Sequence, residues 1–128
     1  MLDAVLRVLG DEFDVGAFLQ KHPLSVQVQP FLKGEPDILG NPNSDSGFDA
    51  IVSETENPTD NLIEVHTFLT RNEPFFTELK SLDVSCVIDI GCGVDAANEF
   101  SPSVHLTTEM LGLCHMLNVS IEFSPYPN

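Results

Sequence analysis

Residues 84–91, with the sequence VSCVIDIG, form the clearest β-strand pattern in the chain. Apolar side chains occupy every second position, which is typical of a strand with one face buried in a core. These apolar positions are Val84, Cys86, Ile88 and Ile90. Asp89 falls on the other side of the strand, so we expect its carboxylate to be solvated. The segment therefore predicts a sheet that buries one face.

Two upstream segments, at residues 25–29 and 47–54, alternate in the same way. Pro30 follows the first of them, and it either ends that strand or places it at the edge of a sheet, because proline has no N–H to donate. Residues 1–10 also alternate, but their leucines and valines fit one stripe of a helix equally well. The period of such a short run does not decide between strand and helix, so both assignments stay open.

Apolar residues at helical spacing mark two segments in the first two thirds of the chain. A short helix begins after Asp14, whose carboxylate can accept hydrogen bonds from the free amides of a helix start. The longest helical pattern covers residues 58–79, with Thr59 or Asp60 as its cap. Pro74 lies inside this pattern, so it must either kink the helix or begin a second one.

The C-terminal part of the chain combines a helix with a strand. The helix begins at Thr107 or the next threonine and ends at Asn118, a residue that tolerates the left-handed conformation found at helix ends. Residues 119–123 then alternate as a closing strand. Pro125 and Pro127 are expected to end the ordered structure.

Together these patterns predict an α+β fold. The chain has 128 residues, the usual length of one domain, and we interpret residues 1–128 as a single domain. The order of elements indicates a mostly antiparallel or mixed sheet of about five strands. The helices are expected to pack on one face of this sheet, because each element has one apolar side to bury.

Negative charge is the strongest feature of the composition. Twenty aspartate and glutamate residues outnumber five lysine and arginine residues, for a formal net charge of −15 at pH 7. An electronegative surface disfavours DNA, RNA and anionic membranes, which bind through cationic groups. It favours fast association with a basic protein. The acidity fits equally well an adaptation to solubility or to a salty environment.

Three cysteines, Cys86, Cys92 and Cys114, lie in or beside apolar segments. An odd number does not indicate a disulfide framework, and free cysteine packs as a small hydrophobic residue. We therefore expect a reducing cytoplasm. No leader peptide and no membrane span are expected, because the chain opens without a basic segment and no apolar run approaches about 20 residues.

Histidines and cysteines are the first candidate for chemistry, as a metal site. The candidate ligands are His105, Cys114 and His115, with Cys86 or Cys92. Zinc sites use pairs of ligands at close spacing, and these residues do not show it. Buried cysteines and exposed histidines explain the pattern better, so no metal and no cofactor is predicted.

Cys92 is the second candidate, as a nucleophile. It lies between Gly91 and Gly93 at the start of a predicted turn-rich loop, residues 92–103. Glycines give the backbone freedom of a nucleophile turn, but activation needs a nearby base or cation, and no known catalytic signature surrounds this cysteine. A turn at the end of a strand explains the glycines more simply. No catalytic residue is therefore assigned.

Residues 33–46, with the sequence KGEPDILGNPNSDS, are rich in turn-forming residues and predict a long surface loop. The loop presents apolar side chains among acidic ones, a combination that suits recognition of a basic protein. The candidate interface residues are Glu35, Asp37, Ile38, Leu39 and Asp45. An ordinary connection between two strands is the alternative.

Several short motifs occur in a particular order. They are LQKHP at residues 19–23, KGEP at residues 33–36, GF at residues 47–48, and a helix, turn, strand and final tyrosine over residues 106–126. This order resembles a bacterial family of small cytoplasmic proteins, the domain of unknown function 4279 type. That family has no established activity, so the resemblance implies an α+β fold and no particular reaction.

These features favour a cytoplasmic binding module over an enzyme. We expect an immunity-type protein that binds a basic toxin, such as a nuclease, and blocks its cationic active site. One alternative is a small enzyme with Cys92 as its nucleophile. Another is a structural subunit of a homo-oligomer, such as a homodimer formed through the exposed face of the sheet. No nucleic acid and no membrane is expected as a partner.

Overall fold

The structure is a computed structural model that describes residues 1–94 and 103–127. In chain order its elements are β1 (Leu2–Gly10), α1 (Val15–Lys21), β2 (Val28–Phe31), β3 (Ser46–Thr55), α2 (Pro58–Arg71), α3 (Glu73–Lys80), β4 (Ser85–Val94), α4 (Thr108–Leu117) and β5 (Ser120–Pro127). Within these residues, the five strands form one mixed sheet. The predicted α+β fold is confirmed.

Strand β1 lies in the middle of the sheet, whose strand order is β2-β3-β1-β4-β5. It pairs antiparallel with β3 on one side and with β4 on the other, while β5 runs parallel to β4. Residues 1–10, which the sequence allows as strand or helix, are therefore a strand. Alternate side chains from Leu2 to Val8 are buried, whereas those between them stay accessible, so β1 has one side in the core.

The helices pack against one face of the sheet, as predicted. Each of them buries apolar side chains in the same core as the inward side of the strands. Phenylalanine rings join these layers: the ring centroid of Phe75 in α3 lies 6.1 Å from that of Phe48 in β3 and 5.0 Å from that of Phe18 in α1. Tilted and edge-on contacts at such spacings are favourable for aromatic rings.

The opposite face of the sheet, which we call the open face, carries the strand side chains that point away from this core. Asp89 of β4 lies on it, but the prediction that this carboxylate is solvated is wrong, because only 7% of the residue is exposed. Arg7 on β1 donates from Nη1 to Asp89 Oδ2 over 2.9 Å, and Ser124 on β5 donates from Oγ to Asp89 Oδ1 over 2.7 Å. These neighbours come from adjoining strands, which the local pattern does not identify.

Two helices begin and end where the local sequence predicts. Asp14 caps α1, because its Oδ1 accepts a hydrogen bond from the Ala17 N–H at 3.1 Å. Thr107 caps α4 in the same way, through its Oγ1 and the Met110 N–H at 3.1 Å. Asn118 ends α4 with a φ of 59°, the left-handed conformation expected of it.

The long helical pattern at residues 58–79 divides into α2 and α3. Helix α2 ends at Arg71, and Pro74 lies in the first turn of α3, where its missing N–H is tolerated. Pro74 therefore begins a second helix and does not kink a single one. The cap of α2 is Asn57, whose Oδ1 accepts from the Asp60 N–H at 2.9 Å, and not Thr59 or Asp60 as predicted.

The two edge strands differ from their predicted bounds. The structure places Pro30 inside β2, which lies at an edge of the sheet as one alternative allowed, and leaves residues 25–27 outside that strand. Strand β5 includes Pro125 and Pro127, which were expected to end the ordered structure. An edge strand accommodates proline because one side of it, within the described residues, has no neighbouring strand to receive an N–H.

Strand β4 extends further than its sequence pattern suggests. Residues 92–94 belong to it, so they are not part of the loop predicted at residues 92–103. Residues 95–102 of that loop lie outside the described residues, and Ser103 belongs to neither a helix nor a strand. Cys92 is therefore not in a turn at a strand end, and it pairs in register with Leu2 of β1 and with Pro125 of β5.

One polar side chain is buried on the side of α2 that faces the sheet. Asn61 is 0% exposed, and neither its Nδ2 nor its Oδ1 has a hydrogen-bond partner within the described part of the chain. It lies one helical turn before Val65, which belongs to the core. A buried amide without partners destabilises a protein by about 1–3 kcal/mol.

We expect the substitution Asn61→Leu to raise the free energy of unfolding by about 1 kcal/mol or more, because it removes a desolvated amide at similar volume. Denaturation in urea measures this change. Asn72→Leu is the matched control: Asn72 Nδ2 donates to the Phe68 carbonyl at 2.8 Å, so the same substitution should lower stability there. A less stable Asn61→Leu protein would contradict the prediction and would indicate a buried water that satisfies the amide.

Candidate functional site

The connection between β2 and β3, residues 33–46, is a hydrogen-bonded extension of the strand pair, and we call it the interface loop. At its base the Lys33 N–H donates to Ser46 Oγ over 2.9 Å. Further out the Asn43 N–H donates to the Glu35 carbonyl over 2.8 Å. These bonds hold the two arms of the loop side by side, so the loop has a defined shape before any partner binds.

Asp37 fixes the tip of the interface loop. Its Oδ1 accepts hydrogen bonds from the N–H groups of Leu39 and Asn41, each over 2.9 Å. Its own N–H donates to the Asn41 carbonyl over 2.7 Å. Gly40 completes the turn with a φ of 84°, a left-handed conformation that glycine adopts without strain. The tip is therefore a closed turn and not a flexible link.

Two large apolar side chains stand on this turn. Ile38 is 100% exposed and Leu39 is 82% exposed, the highest values among the exposed large hydrophobic residues that the structure describes. Single exposed apolar residues are common on protein surfaces, but two adjacent ones at the end of a projecting turn form a local apolar patch. Burying either side chain against a partner would contribute roughly 1.5–3 kcal/mol.

The five residues predicted for this interface occupy different parts of the loop. Asp37, Ile38 and Leu39 lie together at the tip, while Glu35 is exposed on one arm. Asp45 is half-buried near the base of the loop. The carboxylate of Asp37 holds the turn through Oδ1, so it positions the two apolar residues.

Lys33, the cation of the loop, is already engaged by acidic residues. Its Nζ contacts the Asp11 carboxylate, which follows β1. The hydrogen bond and the charge of Asp11, with smaller effects of Asp45 and Glu12, raise the pKa of Lys33 above its ordinary value. The charge that the interface loop presents to a partner is therefore mainly negative.

Beside the base of the loop lies an acidic groove, a cavity of about 550 Å³. Its acidic lining residues are Asp11, Glu12, Asp14, Glu78 and Asp83. Phe13 and Phe18 contribute an apolar part of the lining. The first three acids lie within four positions of the sequence, but nothing in the sequence spacing indicates that Glu78 and Asp83 join them.

Glu78, another acid of this groove, has two basic side chains as neighbours. Lys21 donates to its Oε1 over 2.9 Å, and the ring of His22 contacts its Oε2. Hydrogen bonds from Lys21 and then from His22 lower the pKa of Glu78 below its ordinary value. The carboxylate thereby connects α3 to the end of α1.

We expect Glu78→Gln to lower stability at neutral pH and to have little effect in acid. Since the pKa of Glu78 is lower in the folded state, its stabilisation is fully present above the ordinary glutamate pKa and is lost as the pH falls through the lowered value. Urea denaturation of both proteins across this range measures the difference. The exposed Glu54→Gln is the control and should follow the wild type at every pH. A Glu78→Gln difference that is independent of pH would contradict the prediction.

A second cavity, of about 440 Å³, lies between α2 and the segment that leads into α4. His66 and His105 line it, and His66 Nε2 lies 3.3 Å from Glu109 Oε1. Cys92 is not among its lining residues. Within the residues described, no group of three or more histidine, cysteine and acidic side chains could hold a metal ion.

The cysteines lie where ionisation is unfavourable. Burial raises the pKa of Cys86 to about 12, and burial also raises the pKa of Cys114. The pKa of the half-buried Cys92 is raised by burial and then by the charges of Asp3 and Asp89. These surroundings oppose formation of the thiolate that a nucleophile requires.

We expect iodoacetamide at about pH 8 to modify Cys92 first and more slowly than a free cysteine, because its thiol is partly accessible but its pKa is raised. Cys86 and Cys114 are buried and should react only on unfolding. Mass spectrometry of peptides over time measures the order. A Cys92 that reacts faster than free cysteine would contradict this prediction and favour the alternative of a small enzyme.

Comparison of the chain with models of protein families, with curated protein sequences and with solved structures gave no match. The resemblance to the domain of unknown function 4279 type therefore stays a prediction. None of the helices in the described part of the chain has the length and apolar character needed to cross a membrane.

Proposed function

We propose that this chain is a non-enzymatic binding module, an immunity-type protein that neutralises a basic toxin such as a nuclease. The observation that carries the proposal is the tip of the interface loop. There, Ile38 and Leu39 are almost wholly in water on a turn that Asp37 holds closed. A pre-formed apolar projection is typical of a surface that a partner covers.

The rigid tip supports binding because the turn is in place before the partner arrives. Ordering a flexible loop on binding reduces affinity, and this loop is already held by hydrogen bonds at its tip and along its arms. The free energy gained by burying Ile38 and Leu39 is therefore available for affinity.

The charge of the chain supports a basic partner. A net charge of −15 produces a field that attracts cations and speeds their association. Asp11 connects the interface loop to the acidic groove, since it contacts Lys33 at the base of the loop and also lines the groove. Lysine or arginine side chains of a toxin can meet the groove while an apolar patch of the toxin covers the tip.

Blocking of a nuclease follows from the same charge. A nuclease holds nucleic acid through cationic groups that contact phosphates. Carboxylates spread over this chain can occupy those groups as a phosphate backbone does. The three free cysteines fit an action in the reducing cytoplasm, where such a toxin would have to be neutralised.

The test uses the purified chain and a basic nuclease toxin encoded beside its gene, with binding measured by surface plasmon resonance. We expect the association rate to fall steeply as the salt concentration rises from about 50 mM to about 500 mM, because salt screens the steering field. We expect the double substitution Ile38→Ser and Leu39→Ser to weaken binding by about 30-fold or more, mainly through faster dissociation.

Ile63→Ser is the matched control, because Ile63 is an exposed isoleucine on α2, away from the interface loop. It should bind the toxin as the wild type does. An association rate that does not change with salt would exclude the electrostatic mechanism. Wild-type affinity in the double variant would exclude the tip as the anchor.

A further inference from the structure

Apolar side chains also occupy the open face of the sheet. Five residues whose registers place them on this face are Val5, Leu9, Phe31, Ile51 and Val87. None of them belongs to the core or to the apolar side chains packed against it. An antiparallel sheet with one solvated face normally carries polar residues there, so this face resembles the central part of a protein interface.

Acidic side chains lie around this apolar patch and between its members. The carboxylates on it include Asp3, Asp49, Asp89 and Glu122. Arg7 is the cation among them: its Nη1 lies 2.9 Å from Asp89 Oδ2, and its Nε lies 3.6 Å from Asp49 Oδ1. One guanidinium therefore pairs with two of the four carboxylates, and the face keeps a negative excess.

Asp49 is partly removed from water. Burial raises the pKa of Asp49, and the charge of Arg7 opposes that rise only in part. The carboxylate of Asp3 is hydrogen-bonded within the sheet: its Oδ1 accepts a hydrogen bond from the Gly91 N–H over 3.1 Å. The same oxygen occupies the space that a side chain at residue 91 would need. A cation brought by a partner would find carboxylates that are partly desolvated and in a fixed position.

We infer that the open face is a second contact surface for the basic partner, which covers Val5, Ile51 and Val87 with apolar groups and sets lysine or arginine against Asp49 and the exposed Glu122. The inference rests on the proposed function and extends it from the loop tip to the sheet. The base of the interface loop adjoins this face along the chain, since Phe31 on the open face lies two residues before Lys33.

Charge complementarity decides between this occupant and a second copy of the chain. A symmetric dimer through the open face would set the same patch against itself, and acidic residues would meet acidic residues. Like charges brought together in an interface oppose association. A cationic surface with apolar residues between its charges meets no such repulsion.

The experiment uses the full chain labelled with nitrogen-15 and a synthetic octapeptide of alternating lysine and leucine. We expect the peptide to shift the amide signals of Val5, Arg7, Ile51 and Val87 in NMR titrations. An octapeptide of alternating glutamate and leucine should leave them unchanged. Equal binding of both peptides, or shifts confined to the interface loop and the acidic groove, would overturn the inference.

The substitution Ile51→Lys should weaken binding of the lysine peptide by about tenfold or more, because it places a cation in the centre of the patch. Ile51 is 37% exposed, so the strand should tolerate the change, and Ile51→Ser should weaken binding in the same direction. Ile63→Lys makes the same change at an exposed position of α2, and binding should stay within about twofold. Unaltered binding by both Ile51 variants would overturn the inference.

Sedimentation equilibrium tests whether a second copy of the chain covers the open face. The wild type should be a monomer at the concentrations used for NMR, and a dimer that Ile51→Lys dissociates would overturn the inference in favour of a second copy. Failure of this inference can be distinguished from failure of the proposed function. If Ile51→Lys leaves toxin binding intact while the loop-tip double variant loses it, the sheet surface alone is excluded. If the wild-type chain does not bind the toxin at all, the proposed function fails as well.

Discussion

Strand β1 is the constraint on which the rest of the structure depends. It is paired on both edges, and one of its sides is buried under the helices, so its inward positions accept only apolar side chains. Its outward side brings Arg7 to the middle of the open face, between carboxylates from both neighbouring strands.

The parallel pairing of β4 and β5 imposes a further constraint on the fold. Parallel neighbours need a crossover between them, and α4 is the helix of that crossover.

Four of the five lysine and arginine residues are paired within the fold. Arg7 pairs with Asp89, Lys21 with Glu78, and Lys33 with Asp11. Lys80 donates to the carbonyl of Met116 at the end of α4. Exposed ion pairs contribute little to stability, but they leave the surplus of carboxylates facing water. The negative surface is therefore a consequence of both the composition and the placement of the cations.

The apolar residues outside the core follow a pattern of their own. The pair at the tip of the interface loop projects into water, while the group on the open face lies flat among carboxylates. The interface loop leads into β3, and Ile51 of the open-face group lies on that strand. A partner that covers both would meet apolar contact and negative charge together, which gives affinity and a strong preference for basic proteins.

Local chemistry in the sequence determined much of the fold. The alternation at residues 84–91 predicted β4, Asp14 and Asn118 predicted helix ends, and Pro74 predicted a break at which α3 begins. Each of these depends on neighbours within a few residues, so a local pattern contains the necessary information. The turn-forming residues at 33–46 located the interface loop for the same reason.

Tertiary structure decided the rest. Residues 1–10 became a strand because β3 and β4 pair with them, and the period of a short run cannot contain that information. Asp89 is buried because Arg7 and Ser124 reach it from adjoining strands, and Glu78 joins the acidic groove across 57 positions of sequence from Lys21. The physical reason is that burial and charge pairing depend on distances in space, and strand order sets those distances independently of any local pattern.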